Sequence, residues 1–127
     1  MDYQFSVTRS PGFLLVKVHG PNTAATVRRY LADIRAACER EGCGVVLIEE
    51  LLTGPRLRMM EVFDIVTQEG RQPSNISKIA FVDAETGHSE NMAFAETVAV
   101  NRGLYVRVFH TVEDARDWLG AGQAPAA

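Results

Sequence analysis

The sequence predicts a single α/β domain with a mainly parallel sheet of about five strands, an N-terminal antiparallel strand and four helices. Residues 45–48 and 79–82 are apolar at every position, which is typical of strands covered on both faces of a sheet. Helical patterns alternate with these strands along the chain, and such alternation requires parallel pairing with right-handed crossovers. The predicted element order is β-β-α-β-α-β-α-β-α, with the spatial order of the strands following their order in the sequence.

The two ends of the predicted sheet show alternating rather than continuous apolar character. Residues 3–7 alternate between apolar and polar, and residues 13–19 form a second strand of this kind. Pro11-Gly12 between them favours a tight turn, so the two strands are predicted to pair as a hairpin. Residues 104–108 also alternate, which favours a strand nearer the other edge of the sheet.

Residues typical of helix ends frame the first helix. Asn22 or Thr23 can cap its amino end, and Gly42 can end it. Apolar residues recur between them at intervals of three and four: Val27, Tyr30, Leu31, Ile34 and Cys38. Three further helices are predicted at residues 56–69, 89–102 and 112–119. Thr111 can cap the last of them, with Asp114 in the position of a capping box.

The composition is that of one ordinary globular domain. A chain of 127 residues with 46% hydrophobic and 23% charged residues can close one core without disulfides or a structural metal. We predict a domain over residues 1–120 and a flexible tail over residues 121–127. The 13 basic residues are scattered and are outnumbered by 16 acidic ones, so no nucleic-acid partner is expected.

The sequence also predicts where the chain resides and the state of its cysteines. No stretch has the length and hydrophobicity of a signal peptide or a transmembrane helix, so we expect a cytoplasmic protein with no membrane span. Cys38 and Cys43 have a spacing that matches neither a zinc pair nor the Cys-x-x-Cys redox motif. Two reduced thiols that pack as small apolar side chains are favoured over a regulatory disulfide.

Two segments carry a resemblance to a known family: KIAFVDAE at residues 78–85 and NRGLYVRVFHTVEDARDWL at residues 101–119. With the element order, they resemble the SpoIIAA-like family, which shares its fold with the STAS domains of anti-sigma factor antagonists and sulfate transporters. That family is often described together with CRAL-TRIO lipid-binding domains. The resemblance covers residues 5–119 and is most specific from the closing strand to Trp118-Leu119. It implies a compact sheet with packed helices and, for most members, no enzymatic activity.

The resemblance makes Thr53 a candidate phosphoacceptor. In the antagonist branch, a Ser or Thr in the loop between a central strand and the next helix is phosphorylated by a partner kinase, which switches off binding to that kinase. Thr53 has this position if the following helix begins near Pro55, where a phosphate would meet free N–H groups and the positive end of the helix dipole. The branch has an Asp before the Ser, whereas Leu52 precedes Thr53 here. A structural role, either at the end of a strand extension or near the helix cap, is favoured because short hydroxyl residues are common at helix starts.

Polar residues that follow the predicted strands form a second candidate site. The carboxyl ends of parallel strands meet at one edge of a sheet, where ligands usually bind. The candidate rim site consists of Asn22, Glu50, Asp83, His88 and Ser89. It lacks the spacing of a metal motif, and Ser89 lacks the Gly-x-Ser-x-Gly context of a nucleophile and is favoured as a helix cap. The sequence therefore predicts no catalytic residue, no cofactor and no metal.

The second and third predicted helices carry wider apolar arcs than one buried face needs. The candidate interface or apolar-ligand surface on them consists of Met59, Met60, Phe63, Phe94 and Val98. The favoured hypothesis is a non-enzymatic interaction or regulatory module that binds another protein or forms a homodimer. The alternatives are a carrier or sensor of a small apolar or lipid-like ligand, and a phosphorylatable anti-sigma-antagonist-like regulator acting through Thr53.

Overall fold

The computed structural model describes residues 3–55, 57–83, 97 and 105–122, and within these ranges five strands form one mixed sheet. The strands are β1 (Gln4–Ser10), β2 (Phe13–Pro21), β3 (Val45–Thr53), β4 (Lys78–Val82) and β5 (Tyr105–Phe109). They lie side by side in sequence order. β1 pairs antiparallel with β2, and the other neighbouring strands pair in parallel. The predicted α/β class, the antiparallel N-terminal strand and the strand order are confirmed.

The hairpin between β1 and β2 turns at the predicted Pro-Gly pair. Ser10 lies opposite Phe13 in the ladder, so Pro11 and Gly12 alone form the turn. Gly12 has a φ of 87°, which a glycine adopts without the steric cost that a Cβ would add. Because proline presets the backbone at the preceding position of such a turn, this pair sets the hairpin register.

Three helices lie in the described part of the chain: α1 (Ala24–Glu41), α2 (Met59–Glu69) and α3 (Val112–Gly122). The Thr23 hydroxyl accepts a hydrogen bond from the Thr26 amide at 3.1 Å, so Thr23 rather than Asn22 caps α1. Gly42 ends α1 in the left-handed conformation, as predicted. The Thr111 hydroxyl accepts from the Asp114 amide at 3.1 Å at the start of α3. The helix predicted at residues 89–102 lies outside the described residues.

The predicted start of α2 near Pro55 is wrong. β3 continues to Thr53, Gly54 follows with a φ of 109°, and α2 begins only at Met59. The Glu61 carboxylate accepts a hydrogen bond from the Arg58 amide at 2.9 Å and satisfies one N–H group at the helix start. Apolar periodicity marked the helix correctly, but the residues between strand and helix form an irregular connection that has no period to detect.

The sheet separates two apolar cores. One core lies between the sheet and the helices α1 and α2: Leu14, Val16, Val18, Val27, Tyr30, Ile34, Cys38, Val46, Ile48 and Ile65. The other lies beneath α3: Phe13, Leu47, Ala80, Val82, Ala115 and Leu119. Alternate residues of β3 therefore contribute to both cores, as its uninterrupted apolar run predicts.

Trp118 and Leu119 anchor α3 to the sheet. Leu119 is buried in the core beneath α3, and the Trp118 ring centroid lies 5.5 Å from that of Phe109. Lys78 is buried, with its Nζ 4.4 Å from the centroid of the Trp118 ring. The same ammonium donates to the Trp118 carbonyl at 3.4 Å. A cation–π contact and a hydrogen bond thus compensate the buried charge.

Ion pairs to Glu69 join the two helices on the other face. The Arg35 guanidinium lies 2.6 Å and the Arg28 guanidinium 3.7 Å from the Glu69 carboxylate. The side chains of Arg35 and Glu69 are only 20% and 16% exposed, so water weakens their attraction little. α2 is therefore tied to α1 by a charged contact as well as by the burial of Ile65.

We expect Arg35→Gln to lower the free energy of unfolding by about 1.5 kcal/mol, because it removes a charge-assisted hydrogen bond to a shielded carboxylate. Urea denaturation followed by circular dichroism measures this difference. The matched control is Lys17→Gln, since Lys17 lies 3.8 Å from Glu49 and is 51% exposed; its loss should cost under about 0.5 kcal/mol. Equal effects of the two variants would contradict the structural role of the Glu69 pair.

Candidate functional site

Near the carboxyl end of the sheet, polar residues on three neighbouring strands lie in register: Glu50 is inside β3, and Asp83 and His110 directly follow β4 and β5. The ladder pairs Glu49 with Val82 and Val82 with Phe109. The residues that follow these three are Glu50, Asp83 and His110. The Asp83 amide donates to the Phe109 carbonyl at 3.0 Å, and His110 Nδ1 lies 3.3 Å from the Asp83 carbonyl oxygen. A backbone hydrogen bond thus fixes Asp83 beside the end of β5, and the His110 ring contacts its carbonyl.

Tyr30 connects this row to α1. Its side chain is buried on the stripe of α1 that faces the sheet, and its hydroxyl donates a hydrogen bond to Glu50 Oε2. Side chains alternate across a strand, so Glu50 shares the face of β3 that carries Ile48. Asp83 is 8% exposed at the end of the neighbouring strand. We call Tyr30, Glu50 and Asp83 the carboxyl cluster.

The surroundings of the carboxyl cluster raise the pKa of Glu50. Burial and the negative charge of Asp83 raise the pKa of the Glu50 carboxyl from 4.5 to about 7, although the hydrogen bond from Tyr30 acts in the opposite direction. Burial also raises the pKa of Tyr30 well above its usual value, and the adjacent Glu50 adds to the rise. At neutral pH, therefore, Tyr30 is a neutral donor while Glu50 is divided between its acid and its anion.

A carboxyl with this pKa can take up or release a proton at neutral pH with little driving force, which is the property of a general acid or base. In residues 3–55, 57–83, 97 and 105–122, no three His, Cys, Asp or Glu side chains are arranged to hold a metal ion. The cluster is a proton-binding site on the sheet face.

The structure separates the predicted rim residues into two places. Glu50 and Asp83 lie together, whereas the Asn22 amide donates at 2.7 Å to the carbonyl of Thr53, at the far end of β3. Thr53 lies three residue steps beyond Glu50 along the strand, a distance of roughly 10 Å. Asn22 therefore belongs to the tip of the paired β2 and β3 strands. His88 and Ser89 lie outside the described residues.

Thr53 is the last residue of β3 and lies opposite Pro21. Its side chain is exposed, and its hydroxyl lies 3.5 Å from the Gly20 carbonyl oxygen. α2 begins only at Met59, six residues after Thr53, and the Glu61 carboxylate already binds an N–H group at its start. Thr53 is therefore not adjacent to the amino end of α2. The hydroxyl is accessible, but the expected helix-dipole contact is not supported.

The predicted apolar surface is partly visible on α2. Met59 is 42% and Met60 67% exposed at the start of the helix, and Phe63 is half-buried one turn later. We call Met59 and Met60 the methionine pair. Phe94 and Val98 lie outside the described residues. Nowhere in α1, α2 or the described rest of the chain does a helix have the length and apolar character needed to cross a membrane.

Sequence reasoning found Glu50 and Asp83 but missed Tyr30 as their partner. Its helical spacing predicts a core residue, and this is correct. The available signal was its hydroxyl, because a buried tyrosine usually finds a polar partner. Glu50, two positions after the buried Ile48 on the same face of β3, was such a partner.

Comparison with known proteins assigns the chain to no group: no model of a known protein family matches it, and no curated protein matches it in sequence.

Proposed function

We propose that this protein is a non-enzymatic interaction module of the SpoIIAA-like type that self-associates through the methionine pair of α2. The observation that carries the proposal is the exposure of Met59 and Met60, at 42% and 67%, on consecutive positions of one helix. Large apolar side chains grouped on a surface often mark sites of protein association. Methionine is suited to such sites because its flexible side chain adapts to irregular partners.

Other residues of α2, the helix that carries the methionine pair, fix it to the rest of the domain. Ile65 is buried in the core beneath α2, and Glu69 is ion-paired to α1. The exposed side chains therefore project from a fixed backbone, so little backbone freedom is lost when a partner binds. A second copy of the chain is the proposed partner, since a two-fold axis lets one apolar patch bury itself against its own equivalent.

Met60→Asp should weaken self-association about tenfold or more, because a carboxylate at the centre of an apolar contact must lose its water without gaining a partner. Sedimentation velocity over a range of concentrations measures the change. Gln68→Asp is the matched control: it adds the same charge to an exposed position of the same helix but removes no apolar side chain. The fold of both variants is checked by circular dichroism.

The result that would overturn the proposal is a wild-type chain that stays monomeric at all concentrations. Equal weakening by Met60→Asp and Gln68→Asp would also count against it, because charge alone would then explain the effect. Native mass spectrometry of protein purified without detergent separates the alternatives. A monomer with an apolar adduct would favour the ligand carrier, and an added phosphate removed by Thr53→Ala would favour the phosphorylated regulator.

A further inference from the structure

The carboxyl end of α1 is closed by a turn that joins the backbones of the two cysteines. The Cys43 amide donates to the Cys38 carbonyl at 3.0 Å, and the Gly42 amide donates to the Glu39 carbonyl at 3.3 Å. Gly42 has the left-handed conformation, with a φ of 64°. This pair of hydrogen bonds around a left-handed glycine defines a Schellman motif.

A Schellman motif commonly brings together the side chains of the two residues joined by its outer hydrogen bond, the one that spans more of the chain. In most proteins these are apolar residues, but here they are Cys38 and Cys43. With standard bond lengths, the 3.0 Å hydrogen bond between them limits their Cα separation to at most about 7 Å. Disulfides span Cα separations of roughly 4.4–6.8 Å. The turn therefore holds the two cysteines at a separation compatible with a covalent bond.

Both cysteine side chains pack against the same apolar core. Cys38 is buried in the core beneath α1, and Cys43 is partly buried against the same core. Burial raises the pKa of the Cys38 thiol to about 11, and the neighbouring Cys43 adds to this rise. The turn is further fixed from outside, because the Asn75 side-chain amide donates to the Cys38 carbonyl at 3.1 Å. Neither cysteine is in a disulfide in this structure, and the Cys43 thiol donates to the Val45 carbonyl at 3.6 Å.

We propose that Cys38 and Cys43 form a thiol pair that small-molecule disulfides such as oxidised glutathione convert to an intramolecular disulfide. The partly exposed Cys43 thiolate attacks one sulfur of the small disulfide, giving a mixed disulfide and releasing one thiolate. Cys38 then loses its proton to solvent and attacks the Cys43 sulfur, which releases the second small thiol. Two protein thiols are oxidised, and one small disulfide is reduced to two thiols.

The two cysteines have different roles because their exposure differs. Cys43 reacts first because it is the thiol that a small disulfide can reach, and Cys38 acts only on the sulfur already attached to its neighbour. The high pKa of Cys38 leaves little of it as the reactive thiolate at neutral pH. The second step should therefore be the slower one and should accelerate as the pH rises.

The test incubates the folded full chain with oxidised glutathione, stops the reaction with acid and measures intact mass. The wild type should lose the mass of two hydrogen atoms. Its non-reduced tryptic digest should contain residues 36–40 linked to residues 41–56, because cleavage after Arg40 falls between the two cysteines. Cys38→Ala should instead accumulate glutathione on Cys43. Cys43→Ser should remain unmodified, because its remaining thiol is buried.

Several results would overturn the proposal. A wild type that keeps both thiols, or that stops at a stable glutathione adduct, would show that the turn does not bring the sulfurs into reach. A cross-link between two chains, visible as a dimer on a non-reducing gel, would show that each cysteine reacts outside its own turn. Cys43→Ser keeps the test decisive if Cys38→Ala fails to fold, since glutathione on Cys43→Ser would contradict the assigned order of attack.

Discussion

Replacing Gly44 with alanine should lower the free energy of unfolding by about 3 kcal/mol. A Cβ at this position would lie 2.0 Å from the carbonyl oxygen of Asn75 and 3.3 Å from the amide nitrogen of Ser77. Both neighbours are backbone atoms, so no side-chain rotation can relieve the overlap. The Gly44 carbonyl accepts hydrogen bonds from Ser77 at 2.7 Å and from Lys78 at 3.2 Å, so moving the segments apart would break these bonds.

Urea denaturation of Gly44→Ala against the wild type measures this loss. Gly120→Ala is the control, because Gly120 lies within α3 and a Cβ there would meet nothing within 4 Å. Alanine in a helix is favoured over glycine by roughly 0.5–1 kcal/mol, so this variant should be slightly more stable. Unchanged stability of Gly44→Ala would mean that the chain preceding β4 does not approach Gly44 as closely as described.

The second large effect is a fall in stability with rising pH that originates at Glu50. The pKa of Glu50 in the folded protein is about 7, above its ordinary value of 4.5, so between these values the folded state holds a proton that the unfolded state releases. The contribution of Glu50 to stability is therefore complete below pH 4.5, decreases as pH rises through about 7, and is constant above that. Its size is on the order of 2 kcal/mol, allowing for the partial exposure of the carboxyl.

Glu50→Gln should remove this dependence, because the amide is neutral at every pH. The measurement is the difference in unfolding free energy between this variant and the wild type at several pH values from 5 to about 8. Glu49→Gln removes the adjacent carboxyl from the opposite face of β3 and should keep the wild-type slope. Tyr30→Phe should extend the fall to higher pH, since the Tyr30 hydrogen bond lowers the pKa of Glu50 in the folded protein. Parallel curves for Glu50→Gln and the wild type would contradict the assignment.

The fold could be predicted where the sequence repeats a physical pattern. The continuous apolar run at residues 45–48 identified the central strand, and Pro11-Gly12 identified the hairpin turn, because each follows from local rules. The extension of β3 to Thr53 was predicted only as one of two alternatives, because Glu49 and Glu50 interrupt the apolar run. Both lie inside the strand, where Glu49 pairs with Lys17 and Glu50 is held by Tyr30. A charged strand residue is recognisable only when its partner is known.

The candidate site was less predictable because its contacts join distant parts of the chain. Tyr30 and Glu50 lie on different elements, and only the placement of α1 over β3 brings them together. The pKa of Glu50 depends on that burial and on Asp83 at the end of a third element. By contrast, the cysteine turn could have been predicted from the sequence. Gly42 was assigned as the end of α1, and a Schellman motif at that glycine pairs the residues at positions 38 and 43 by spacing alone.

The order of strands in the sheet has a consequence for biosynthesis. Because β1 to β5 lie side by side in sequence order, each strand emerging from the ribosome finds its neighbour already made, and none must insert between two earlier strands. The antiparallel hairpin closes over the shortest stretch of chain, so it provides the first template. The growing edge, which is the part of a nascent sheet prone to pair with other chains, is exposed only until the next strand is translated.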